Sequence, residues 1–333
     1  MGDDFKLHFE MMLSFAAFPI VSTLVTYQIA EKLELAPQTA ESLSISSSID
    51  SSHLFRYLRL ASYFDIFSFD PVSKLWSNTS KSLLLTTQLS RSLWLMRGSN
   101  LYIEPFNYAS EVIKSSEDPR SLRNEPSFFD SVYNSPDLAE KFQDCMNAMT
   151  WVNKNEIVEG ICFDKCNKVL DVGGADGTLI IELAKKYPDL KAGIFDRPEI
   201  SERANMNIIE NQMMGQVEFV AGDFFKEIVG GYNCIVLKHI LHDWRDSDAV
   251  KILNNCKSAL ENGGKLIIVE RVMDCNPKFY YENLMLDILM LLLLNGKERT
   301  RSEFEKILFD SGFRIVNIKN ALYENIIEAE PIA

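Results

Sequence analysis

The stretch Lys168-Val-Leu-Asp-Val-Gly-Gly-Ala-Asp-Gly177 constrains the fold more than any other part of the chain. Apolar β-forming residues run straight into a glycine-rich turn, and a helical pattern starts near Thr178. In an open parallel sheet, this first strand–helix turn is where a nucleotide-like ligand lies. Four more short strand-like runs follow at Lys191–Phe195, Gln216–Val220, Cys234–Lys238 and Lys265–Val269. Helical stretches separate the first four of the five runs and lead to the fifth. That alternation predicts an α/β, Rossmann-like domain over residues 161–333, with a mostly parallel sheet and helices on both faces.

Upstream of a boundary near residue 160 the texture is different. From Phe9, apolar residues recur at 9, 12, 13, 16, 17, 20, 21, 24 and 27, the spacing of a helix with one buried stripe. Pro19 falls inside it and is expected to kink or split the helix. Phe9, Met12, Phe15 and Phe18 are large for a helix so near a terminus, so the stripe calls for a partner, in its own domain or in a second chain, and a homodimer is expected. Asp50-Ser51-Ser52 reads as a helix start, with Leu54, Tyr57, Leu58 and Ala61 on the buried face. Helix, turn, helix and a small hairpin ending near Trp76 outline a winged helix over residues 1–100. Residues 101–160 read as a helical connector with polar breaks around Ser115–Pro126 and Asn134–Asp137.

Charge argues against DNA as the target of that shape. The chain has 34 Lys+Arg and 47 Asp+Glu, a formal net charge of −13. Residues 1–100 carry 8 − 9 = −1, and the second helix of the winged outline offers only Arg56 and Arg59, whereas a DNA reader needs a basic face. The winged helix is therefore expected to dimerise, with no nucleic-acid partner. Neither apolar stretch reads as a membrane span: Met11–Val25 lacks a basic flank, and Leu284–Leu294 has 11 residues, with Asp287 among them, where a span needs about 20. The six Cys form no CxxC pair, which suits a reducing, cytoplasmic setting.

The ligand of the turn is tested by spacing. A dinucleotide fingerprint begun at Gly173 requires glycine at 175 and 178, where Ala175 and Thr178 stand. The pattern present, Asp171-x-Gly173-x-Ala175-x-Gly177, resembles motif I of S-adenosylmethionine-dependent methyltransferases. Asp196 closes the next strand about 20 residues on, where an acid can accept hydrogen bonds from both ribose hydroxyls. Asp223 ends the following strand on the same edge. Asp-Val-Gly-Gly, Phe-Asp-Arg-Pro, Gly-Asp-Phe-Phe, Leu-His-Asp-Trp, Asn-Gly-Gly-Lys-Leu-Ile-Ile-Val-Glu and Gly-Lys-Glu-Arg-Thr then occur in that order. This run resembles the caffeic acid and hydroxyindole type of small-molecule O-methyltransferase over nearly all of residues 160–333, and more loosely in architecture before that.

The resemblance implies S-adenosylmethionine as cofactor and a small aromatic hydroxyl as methyl acceptor. It implies His242 as general base, Glu270 and Glu298 as the acids flanking it, and Gly173, Asp196, Asp223, Phe224 and Lys238 as cofactor contacts. By position it also implies Met146 and Met290 as lining of the acceptor pocket. These residue types suit the task. A phenol, with a pKa of roughly 10, is mostly protonated near neutrality, and a histidine can take its proton as methyl transfer begins. A carboxylate beside it fixes the imidazole tautomer and stabilises the imidazolium. His239 and His242 lack a third ligand of suitable spacing, so no metal is expected.

Two departures stand out. Ala175 replaces the usual third glycine of motif I, and the short segment Leu291–Gly296 puts Leu293 where plant enzymes often carry a polar residue, which points to a more apolar acceptor. Three alternatives stay open: methylation of nitrogen, a non-methylating rearrangement, elimination or decarboxylation on the same fold, and a non-catalytic binding subunit.

Overall fold

The computed structural model describes residues 3–163 and 166–332. The chain divides into two compact units, one of Met1–Glu104 with Glu140–Ala148, the other of Pro105–Ala139 with Met149–Ala333.

In the first unit, one helix spans Asp3–Thr26. Of the kink or split expected at Pro19, the split does not occur. Proline's fixed φ is compatible with a helix, and its cost is the lost N–H bond together with the crowding of its ring against the carbonyl four residues back. Thr23 Oγ1 ties the following turn to the Pro19 carbonyl at 2.8 Å. Val21, Leu24 and Val25 are buried, while Met12 and Phe15 are exposed. The side chains of Phe9, Leu13 and Ala16 lie outside the described residues. Helices Ala40–Ser47 and Ser51–Tyr63 follow, and the Asp50 carboxylate caps the second by accepting the His53 N–H at 2.8 Å. Leu54, Leu58 and Ala61 are buried, as the spacing predicts, and Tyr57 is half-buried. Strands β1 (Phe67–Asp70) and β2 (Leu75–Asn78) pair antiparallel and complete the winged outline, with Phe67 and Trp76 driven into the core.

The second unit is built on a seven-stranded sheet of β3 (Lys168–Val172), β4 (Lys191–Asp196), β5 (Val217–Ala221), β6 (Tyr232–Lys238), β7 (Leu260–Glu270), β8 (Phe313–Ala321) and β9 (Glu324–Pro331). The spatial order is β5-β4-β3-β6-β7-β9-β8. Strands β3 to β7 are mutually parallel, whereas β9 runs antiparallel to both β7 and β8. The pleat sends alternate residues to opposite faces. Val169, Ile194, Val236 and Ile267 pack with helices Thr178–Lys186 and Ser201–Glu210. Leu170, Phe195, Leu237 and Ile268 pack with helices Asp246–Ala259 and Arg301–Asp310. Covering both faces is what lets the parallel strands be nearly all apolar. No helix among the described residues is long and apolar enough to cross a membrane.

Candidate active site

The carboxyl ends of β3 to β7 open on one edge of the sheet, where Gly173, Asp196, Asp223, Lys238 and Glu270 stand at or just beyond the strand ends. Gly173 follows β3 in the left-handed region, φ +73°, with its N–H on the Phe195 carbonyl at 2.7 Å. A Cβ at 173 would lie 2.2 Å from Ile240 Cδ1, so the missing side chain makes room for the turn that carries the candidate base. Ala175 also sits at positive φ, +50°, a conformation costing a non-glycine residue about 1 kcal/mol. Its N–H donates to Asp196 Oδ2 at 2.8 Å, and the Arg197 N–H donates to Asp196 Oδ1 at 2.7 Å. Burial raises the Asp196 carboxyl to about 6, against those two N–H donors. Each oxygen keeps a lone pair, which is what a ribose with two adjacent hydroxyls requires.

Asp223 follows β5 and accepts the Phe225 N–H at 2.9 Å. Phe224 is half-buried, edge-on to Phe225 with ring centroids 5.0 Å apart and to Trp244 at 6.1 Å. Lys238 ends β6, and burial lowers its pKa against the pull of Glu324 and Asp171. A side-chain-poor turn, a carboxylate with free lone pairs and an aromatic face on one edge fit a bound adenosyl group.

His242 lies in a short 3₁₀ turn, Leu241–Asp243. Its Nδ1 is 2.8 Å from Glu298 Oε1, and its Nε2 is 3.4 Å from Asp243 Oδ1. Burial disfavours charge on this ring, yet Glu298, Asp243 and Glu270 together push it up to about 10. Glu298 is drawn the other way: burial raises it, but the His242 and His239 rings and Arg271 bring its pKa below the usual value.

Glu270, at the end of β7, meets His242 through the backbone. Its Oε1 accepts the N–H groups of Ile240 at 3.1 Å, Leu241 at 2.6 Å and His242 at 3.2 Å. Met290 is buried on helix Tyr280–Leu294, and Leu293 is fully buried on the same helix. Met146 belongs to the first unit and is half-buried.

Three polar residues at this edge were not singled out from sequence. Asp243 is 9 % exposed, and burial raises it to about 7. Glu324, on β9, lies 2.7 Å from His239 Nε2. Arg299 is fully buried against the turn that carries His242. Asp243 and Arg299 are letters of the Leu-His-Asp-Trp and Gly-Lys-Glu-Arg-Thr runs and could have been carried with them. Glu324 stands on a strand for which no run was recognised.

A doubly covered parallel sheet with an adenosyl-fitting edge and a buried acid–imidazole pair defines the class of S-adenosylmethionine-dependent transferases. Residues 121–314 match the O-methyltransferase domain family, more than half of the chain. The chain is 30% identical to flavonoid 4'-O-methyltransferase 5 of Ocimum basilicum, the alignment covering 99% of each. Its fold is similar to that of mitomycin 7-O-methyltransferase MmcR, with a TM-score of 0.93 at 23% identity over 98% of this chain and 97% of that one. It is also similar to NcsB1 of neocarzinostatin biosynthesis, solved with S-adenosylmethionine and 2-hydroxy-5-methyl naphthoic acid: TM-score 0.85, 23% identity, covering 95% and 96%. The chain belongs to the O-methyltransferase family and is an S-adenosylmethionine-dependent O-methyltransferase.

Proposed function

We propose that this enzyme methylates a hydroxyl on a small aromatic acceptor, with His242 as general base and without a metal. The carrying observation is the 2.8 Å contact between His242 Nδ1 and Glu298 Oε1. A carboxylate there keeps the Nδ1 proton on the ring, so the hydroxyl proton would go to Nε2, which Asp243 Oδ1 faces at 3.4 Å. Gly173, Asp196, Asp223, Phe224 and Lys238 would hold the cofactor. When bound, S-adenosylmethionine supplies a methyl group on a positively charged sulfur, and that charge opposes a second one on His242. The ring, pushed up to about 10 by its acids in the free protein, is thereby eased toward the neutral form a base must have.

Met290, buried on helix Tyr280–Leu294, would line the acceptor pocket. The exposed Met12 and Phe15 on the first helix support pairing of the first unit with a second copy of the chain. None of the six cysteines forms a disulfide among the described residues, in keeping with the cytoplasm.

The test is transfer of labelled methyl from S-adenosylmethionine to a panel of phenols, naphthols and aromatic amines, with S-adenosylhomocysteine release measured beside it. Stoichiometric release with a label on oxygen is expected. Turnover of an acceptor without S-adenosylhomocysteine release would favour the non-methylating reaction, and a label found only on nitrogen would reject the hydroxyl.

A further inference from the structure

We infer that Arg299, together with Glu270, is a positioning residue for the base: a buried guanidinium and a buried carboxylate grip the backbone of the His242 turn from opposite polarities. This rests on the reading of His242 as base and extends it to how the imidazole is aimed.

The turn is short, and nearly every polar backbone group in it has a buried partner. On the N–H side, one oxygen of Glu270, 0 % exposed, receives the donors of Ile240, Leu241 and His242. On the carbonyl side, Arg299, also 0 % exposed, gives Nη1 to the Leu241 carbonyl at 2.7 Å and Nη2 to the Trp244 carbonyl at 2.8 Å. The carbonyl between them, that of His242, takes the Lys297 N–H at 2.9 Å. Gly296 is what lets the two segments touch, because a Cβ there would stand 2.1 Å from the His242 oxygen and 2.7 Å from the Asp243 carbonyl carbon.

Residues 296–299 therefore do two things at once. Glu298 contacts the imidazole at Nδ1, and the flanking residues fix the backbone from which that imidazole projects. Any shift of this segment against the turn loosens both. Arginine is needed because two carbonyls in different directions call for a planar fork, and the same group also pairs with Asp246 at 3.0 Å. A lysine ammonium keeps the charge but is a single point. Neither Arg299 nor Glu270 touches the imidazole in this arrangement, so each would act through His242 and not on the acceptor itself.

The experiment is a two-background comparison on the full chain, with S-adenosylmethionine and a phenol acceptor found in the panel. Arg299→Lys is made in the wild type and in His242→Ala, the latter assayed with added imidazole as a free base. In the wild type, kcat is expected to fall about 100-fold, the size of a small misplacement of a reacting group, with both KM values within about twofold. In the His242→Ala background the imidazole-supported rate should change by less than about twofold, because no ring remains to be aimed.

Equal losses in both backgrounds, or a loss carried by KM, would overturn the inference. If His242→Ala alone keeps the wild-type rate, it is the base assignment that fails, and the two failures are thus told apart. Should the lysine variant not fold, Glu270→Gln goes through the same comparison. It keeps an oxygen for the three N–H donors and is expected to lose less than about tenfold, all of it absent without His242.

Discussion

Replacing Glu298 by Gln takes one negative charge from beside the imidazole and leaves the shape of the site intact. The structure sets the size of the effect. The contact to His242 Nδ1 is 2.8 Å, and the Glu298 side chain is 1 % exposed, so water screens the pair very little. A hydrogen bond to a charged partner contributes about 1.5–3 kcal/mol, and two charges at this separation interact by about 6 kcal/mol at the effective dielectric of protein sites. Part of that is already present before the hydroxyl proton moves. The loss assigned to the reacting state is then about 2–3 kcal/mol, or roughly 30- to 150-fold in kcat.

The pH profile must move as well. Burial works against charge on the ring, and Glu298 is the foremost of the groups that overcome it and push His242 up to about 10. Without Glu298 the ring is neutral at lower pH, so the rising limb of kcat/KM shifts acidward while its plateau falls. Steady-state S-adenosylhomocysteine release across the pH range reads both, with circular dichroism confirming the fold. A Glu298→Gln enzyme within about threefold of wild type, its limb unmoved, would refute the reasoning.

Other expectations follow from single residues. Asp196→Ala should weaken S-adenosylmethionine binding about 100-fold in calorimetry, since two charge-assisted contacts disappear. Gly177→Ala places a Cβ 2.2 Å from Ile194 Cδ1 at φ +80°, and urea unfolding should show a loss of about 2–4 kcal/mol. His239 is held near 4 chiefly by burial, so between pH 6.5 and 4 the unfolded chain binds the proton that the folded chain refuses. Stability should fall as pH drops through that window, and His239→Gln should flatten the fall in urea midpoints. His242 has the opposite sign: its raised pKa stabilises the fold below 6.5, and that contribution is lost as pH rises toward 10. Dialysis against EDTA should leave kcat unchanged.

The parallel half of the sheet was legible because strands buried on both faces are written as continuous apolar runs, and β3 to β7 lie where those runs fall. Strands β8 and β9 were not. Phe313-Arg-Ile-Val-Asn-Ile-Lys-Asn-Ala321 mixes exposed polar residues into an edge strand, and Glu324-Asn325 opens β9 with two polar residues that are buried. With β9 hidden, the acid that meets His239 was hidden too. The cofactor edge was readable because glycine spacing and strand-end acids are local features of the chain. The arrangement around His242 was readable as a set of residue types but not as geometry. Whether the carboxylate closing β7 meets a ring or a backbone depends on how the 240–244 turn is folded back over it, and nothing in Leu-Ile-Ile-Val-Glu encodes that. The helix through Pro19 shows a local breaker overridden, because the roughly 3 kcal/mol that a proline costs inside a helix is less than abandoning the buried face at Val21, Leu24 and Val25.

The central claim is that the His242 imidazole removes the hydroxyl proton as the methyl group transfers. The most direct measurement is the single-turnover rate of methyl transfer to a true phenolic acceptor in His242→Gln, at saturating S-adenosylmethionine. The account predicts a fall of about 100- to 10,000-fold, with cofactor binding retained and partial recovery when the same acceptor is supplied as its phenolate at high pH. A variant that transfers the methyl group at the wild-type rate near neutral pH would contradict it.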